Sequence, residues 1–244
     1  MSYYKYYFSS KEIEGSAGRI QAKNRLVYSL LSRWLPPGAA VLELGPGKGW
    51  FARVCRERDL RYKGIEANEK QCQALEADGL EVICARVPPV PVKPPEGGFG
   101  LVYSAHLLEH LGGAEQVHEL LSDCARLAGD GGVVAMLFPD AMDMGANFWN
   151  CDYTHVWPTT ERRVAQAMAD AGLEVVASHR LRGHYTGARW ALAAAAARPL
   201  ALKAANVLAR SPERRDVVYR GWMYLQQDVL LVGRPRAGAA NDAG

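Results

Sequence analysis

The sequence has few features that would mark a secreted or membrane-embedded chain. Its five cysteines (Cys55, Cys72, Cys84, Cys124 and Cys151) are odd in number, scattered, and contain no CxxC pair. That argues against a disulfide framework and a zinc site, and for a reducing cytoplasmic setting. There is no long uncharged apolar run. The nearest approach, Trp190 to Leu202, is broken by Arg198 and Pro199, so no stretch reaches the roughly 18 residues of a membrane span. The opening MSYYKYYFSSKEIEG is aromatic and polar and lacks a signal-peptide core. Charge of one sign is also in short supply. Lys and Arg number 29 against 26 Asp and Glu, a formal net charge of +3, too small to imply a nucleic-acid partner. No internal repeat is evident.

What is present is an ordinary globular composition, 49% hydrophobic and 23% charged over 244 residues, enough for one large α/β domain. After an N-terminal arm, residues 20–36 have apolar positions at helical spacing from Leu26 onward and end at Pro36-Pro37-Gly38. From Ala39, short apolar runs alternate with helical stretches. Strands are expected at 40–44, 62–66, 80–84, 99–104, 132–138, 173–178 and 224–232. Helices are expected at 49–58, 69–77, 114–127 and 159–171. VPPVPVKPPEGG, with five prolines and two glycines, reads as a loop. This alternation predicts a doubly wound, mostly parallel, seven-stranded Rossmann-like sheet with one antiparallel strand near the C-terminus. The domain division is an arm and helix over 1–38, the main domain over 39–235 with an Ala-rich helical insert at about 183–215, and a flexible tail over 236–244.

The glycine-rich stretch VLELGPGKGW, residues 41–50, narrows the cofactor. A triphosphate loop needs GK followed by Ser or Thr, and Lys48 is followed by Gly49. The dinucleotide fingerprint GxGxxG would put its third glycine at Trp50, where an indole opposes close helix–strand packing. Glu43 two residues before Gly45, with Gly45, Gly47 and Gly49 at every second position, suits a nucleoside bearing an amino acid. Glycines let the backbone approach such a ligand closely.

With these residues in view, ELGPGKG resembles the first motif of class I S-adenosylmethionine-dependent methyltransferases of the small-molecule type. Glu66, at the end of GIEAN, stands where that family's acid binds both ribose hydroxyls, and one carboxylate suits two vicinal donors. FGLVYSAHLLEHL is similar to the fourth motif, GDGGVVAMLFPD to the glycine turn leading into strand five, and ADAGLEVV to the helix entering strand six. The resemblance covers about residues 39–180 and implies S-adenosylmethionine as cofactor. Its contacts are implied at Glu43, Gly45, Pro46, Gly47, Gly49, Glu66, Ala67, Ala85, Arg86, Ser104 and His106. Two positions depart from the family pattern. Ala85-Arg86 replace an acid that contacts the adenine amino group, and Phe99-Gly100 replaces Phe-Asp.

Ligands of open α/β sheets lie beyond the carboxyl ends of the strands, so the chemistry is expected after strands four and five. His106 directly follows strand four, with Glu109 and His110 next; His110 reads as structural and His118 as solvated. NFWNCDYTHVWPTT, residues 147–160, resembles an Asp-x-Thr-His segment of small-molecule members. In it either Asp152 and His155 orient each other, with His155 or His106 as base and Trp149, Tyr153 and Trp157 as pocket walls, or Asp152 caps a turn while His155 fixes the backbone; Thr159 is the expected cap of the next helix. No metal-ligand cluster of suitable spacing is evident. His184, Tyr185 and the aromatic arm Tyr3–Phe8 are lesser candidates. The expected reaction is methyl transfer to a hydroxyl oxygen of a small molecule: a sugar, polysaccharide precursor or secondary metabolite. The alternatives are a protein or RNA acceptor, with Arg210–Arg220 as the basic cluster, and a non-catalytic module that keeps the fold.

Overall fold

A computed structural model describes residues 16–129, 131–183 and 226–236. The aromatic arm, the insert with His184 and Tyr185, the 210–220 basic run and the C-terminal tail lie outside the described residues.

The elements in chain order are α1 (Ser16–Leu31), a 3-10 turn (Ser32–Trp34), β1 (Ala40–Leu44), α2 (Trp50–Glu57), β2 (Arg61–Glu66), α3 (Glu69–Ala77) and β3 (Val82–Cys84). They continue with β4 (Leu101–Ala105), a 3-10 turn (Leu108–His110), α4 (Ala114–Ala128), β5 (Val133–Pro139), α5 (Ala141–Met144), α6 (Asn147–Asn150), α7 (Glu161–Asp170), β6 (Leu173–Arg182) and β7 (Gln227–Pro235). One seven-stranded sheet has the order β3-β2-β1-β4-β5-β7-β6. β1 through β5 pair in parallel, and β7 runs antiparallel to both β5 and β6.

Both faces of the sheet are buried, which is why its inner strands are apolar without alternation. β1 is buried at all five positions and β5 at all seven. Leu42, Leu44, Val102, Val134, Met136 and Leu231 face one layer, packed with Leu120 and Leu121 of α4 and Val164 and Met168 of α7. Val41, Leu101, Tyr103, Ala135 and Leu230 face the other, with Val27 and Leu31 of α1 and Phe51 of α2. The strand order reverses between β1 and β4. The segments leaving their carboxyl ends, the glycine loop and His106, therefore flank the crevice of a doubly wound sheet.

Three readings are amended. β6 runs on to Arg182, well past Ser178, because it pairs along β7 from Leu173↔Pro235 to Arg182↔Gln227. The cap of α7 is Thr160, whose side chain accepts from Arg163 N; Thr159 is buried and donates to the Pro139 carbonyl at 2.6 Å. Cys72 of α3 and Cys84 at the end of β3 form a disulfide with their Cα atoms 5.8 Å apart. The parallel pairing of β2 with β3 brings these two together, a proximity that sequence spacing conceals.

Candidate active site

The glycine loop is shaped by three left-handed backbone positions, φ +72° at Gly45, +53° at Gly47 and +71° at Gly49, a region costly for residues with a Cβ. Their surroundings differ. A Cβ on Gly47 would meet nothing within 4 Å, and one on Gly45 only Leu107 at 3.7 Å, whereas one on Gly49 would strike Leu75 Cδ2 at 2.6 Å. Gly45 and Gly47 therefore face open space, as a cradle for a ligand must. Gly49 instead seats the start of α2 against α3, so its need for glycine comes from packing.

Glu66, 7% exposed at the end of β2, ties the loop down. Its Oε2 accepts from Gly47 N at 2.9 Å and its Oε1 from Asn68 N at 2.8 Å. Each oxygen keeps a lone pair for a further donor, so the residue can hold the loop and still accept from two ribose hydroxyls. Ala67 is exposed, Pro46 is buried, and Ala85 N donates to the Glu66 carbonyl at 2.9 Å, placing the Ala85-Arg86 backbone beside the same rim.

Glu43 is placed differently from expectation. It is 3% exposed and accepts from the Tyr62 hydroxyl at 2.8 Å beneath the loop. Burial raises its pKa to about 8, against the pull of that hydrogen bond and with a further push from Glu66. At neutral pH it is a proton-bearing support for the loop. Ser104 is likewise turned inward: it is 1% exposed and its Oγ lies 3.0 Å from Met136 Sδ.

His106 follows β4 with φ +54°, one of two non-glycine residues in that region among the described residues. Such conformations cost on the order of 1 kcal/mol or more and gather at functional sites. Its N–H donates to the Leu137 carbonyl at 2.8 Å. Its ring is half exposed, with Nδ1 3.4 Å from Glu109 Oε1 and Nε2 3.9 Å from Asp228 Oδ2. Asp228 also pairs with Lys23 of α1. Behind it, Asp140, Asp143, Arg182 and Gln227 form a polar network: Gln227 Nε2 donates to Asp140 at 2.9 Å and Arg182 to Asp143 at 2.8 Å. Sequence reasoning missed Asp228; the signal was an acid at the head of an otherwise apolar strand.

The 147–160 segment packs on the turn after β4. Val156 N and Trp157 N both donate to the Glu109 carbonyl, at 2.8 and 3.2 Å. The expected side-chain pairing of Asp152 with His155 is not formed. Asp152 Oδ1 instead accepts from Thr154 N and Oγ1 at 2.9 and 2.6 Å, and Thr154 Oγ1 meets His110 Nδ1 at 2.9 Å. His155 Nδ1 donates to the Phe148 carbonyl at 2.6 Å. Burial lowers the His155 pKa, keeping the imidazole neutral, and raises that of the Cys151 thiol to about 11. The spacings are too irregular to announce it, but Glu109, His110 and His155 converge. Trp149 and Tyr153 are exposed, at 53% and 75%, while Trp157 is buried and packs in the core.

The methyltransferase-domain family model matches residues 17–178. The chain belongs to that family. Solved structures similar to this methyltransferase agree on the fold. A Haloferax volcanii methyltransferase in complex with the Trm112 activator is 17% identical, with a TM-score of 0.63 over 91% of this chain and 93% of that one. A SAM-dependent methyltransferase from Archaeoglobus fulgidus is 18% identical, TM-score 0.60, over 94% and 99%. A phosphoethanolamine N-methyltransferase from Haemonchus contortus, solved with phosphomonomethylethanolamine and S-adenosylhomocysteine, is 14% identical, TM-score 0.60, over 87% and 52%. No curated protein matches the sequence. The likeness read from the sequence motifs is thus borne out for family, fold class and S-adenosylmethionine as methyl donor. No helix among the described residues is long and apolar enough to cross a membrane.

Proposed function

We propose that this methyltransferase acts on a hydroxyl oxygen of a small molecule, a sugar, polysaccharide precursor or secondary metabolite. Gly45, Gly47 and the neighbouring backbone would hold the methionine end of the donor, Glu66 the ribose hydroxyls, and the Ala67 and Ala85-Arg86 backbone the adenine rim. The bound donor supplies an electrophilic methyl group on a sulfonium.

The chain's own residues do the rest. The 147–160 segment excludes water and walls the acceptor with Trp149 and Tyr153. His106, held in a strained backbone conformation at the crevice between two carboxylates, accepts the proton of the acceptor hydroxyl, and Asp228 orients its ring. The position of His106 carries this reading. His155 has Nδ1 committed to Phe148, and Asp152 acts through Thr154, so neither is the better base.

The test is methyl incorporation from labelled donor into pools of hydroxylated small molecules, protein and RNA. Label in the small-molecule pool, lost on His106→Ala with donor affinity retained, supports the reading. Label confined to protein or RNA overturns it.

A further inference from the structure

Beside the base, a group of side chains converges whose histidines methyl transfer as outlined does not use. Glu109, His110 and His155 come from the turn after β4 and the segment after β5, and their donor atoms lie within 4.8 Å of one another. We propose that they form a binding site for a divalent transition-metal ion, coordinated by two imidazole nitrogens and one carboxylate.

The second, independent observation is the state of Glu109. Its side chain is fully buried, and neither carboxylate oxygen has a hydrogen-bond partner. The 3.4 Å approach of His106 Nδ1 lacks hydrogen-bond geometry. An unsatisfied buried carboxylate is among the most costly arrangements in a protein interior, and a cation beside it removes that cost.

The histidines are oriented as ligands are. A metal-bound imidazole donates its other N–H to an oxygen that fixes ring and tautomer. His155 Nδ1 donates to the Phe148 carbonyl at 2.6 Å. Thr154 Oγ1 gives its own proton to Asp152 Oδ1 at 2.6 Å and so accepts from His110 Nδ1 at 2.9 Å. With both Nδ1 atoms acting as donors, the lone pair of each ring is on Nε2, the nitrogen offered to an ion. The two hydrogen bonds from Val156 and Trp157 to the Glu109 carbonyl hold the two segments together.

Two nitrogens and one carboxylate suit zinc, cobalt, iron or manganese better than magnesium or calcium. Bonds of about 2.1 Å place tetrahedral donors roughly 3.4 Å apart, so binding draws the side chains together by up to about 1.4 Å. Three protein ligands leave a position for water. On the methyl-transfer reading, on which this last step rests, an acceptor oxygen takes that position and is polarised there.

The test uses the full chain, stripped with a chelator and titrated with Co2+ and then Zn2+, with metal content and the visible spectrum as readouts. The expected result is one equivalent of Co2+ with ligand-field bands, no thiolate-to-cobalt band, and displacement by Zn2+. Glu109→Gln and His155→Asn should each weaken binding by at least roughly 100-fold, and Thr154→Val by about 10-fold, while Cys151→Ser changes nothing. Glu109→Gln removes the buried charge and should melt no lower than the stripped parent, so its loss of metal is not loss of fold. Absence of stoichiometric metal, a thiolate band, or binding that survives both substitutions overturns the site. Donor binding measured beside the metal titration separates the two failures: donor binding with no metal uptake defeats the metal site alone, and metal uptake with no donor binding defeats the methyl-transfer reading alone.

Discussion

The two sides of the crevice are built in different ways. The proposed donor side, from β1 to β3, is backbone chemistry. Three left-handed glycines, a carboxylate holding Gly47 and Asn68, and a buried acid under the loop all lie within one run of chain. The proposed acceptor side is made of side chains from distant segments: His106, Glu109 and His110 after β4, Asp152, Thr154 and His155 after β5, and Asp228 of β7. A donor common to a family can be gripped by a fixed loop, whereas an acceptor must be fitted by side chains that vary without disturbing the sheet. Damage to the first side should therefore cost stability and donor affinity together. Damage to the second should cost turnover alone.

Gly49→Val should break the contrast most severely. It combines a positive φ with a Cβ 2.6 Å from Leu75 Cδ2, a loss of roughly 2–5 kcal/mol from strain and overpacking, read as a lowered melting temperature. Gly47→Ala has the same backbone strain but open space above it, and should lose donor affinity more than stability.

Next comes the pH dependence of Glu43, whose folded pKa of about 8 lies far above that of an exposed carboxyl. Below pH about 4.5 both folded and unfolded chains hold the proton and nothing is lost. As pH rises the unfolded chain ionises first, so stability falls until about pH 8 and then levels. The fall is on the order of a few kcal/mol. Glu43→Gln, which keeps an acceptor for Tyr62, should flatten that part of the stability–pH curve from denaturant melts. A curve unchanged by the substitution would show that Glu43 is ionised in the fold.

On the acceptor side, His106→Ala should lower kcat by about 100-fold or more and leave donor affinity within a factor of about two. The smallest effect is expected for Asp152→Asn, which weakens the Thr154–His110 relay. A few-fold loss of turnover with an unchanged melting temperature is the expected result.

The proposed donor side is legible in the sequence because its determinants are local. Glycine spacing and the acid ending β2 mark the loop and Glu66 as donor-site candidates, and the alternating apolar runs mark a mostly parallel seven-stranded sheet with one antiparallel strand. Even there, local reading could not tell a ligand-facing glycine from a packing one, and it turned Glu43 and Ser104 toward the ligand when β1 and β4 point them into the core. The acceptor side was legible only as a list of candidates. Which oxygen each histidine finds depends on how the 147–160 segment docks on the turn after β4, so the sequence leaves open whether Asp152 pairs with His155 or caps a turn; it serves Thr154. Cys72 and Cys84 teach the same lesson, joined through the pairing of β2 with β3.

Calorimetric titration with S-adenosylmethionine of the parent, Glu66→Ala and His106→Ala proteins tests the central claim most directly. The account predicts one site in the parent, binding at least about ten-fold weaker in Glu66→Ala, and parent-like binding in His106→Ala. No binding by the parent, or equal losses in the two variants, would contradict it.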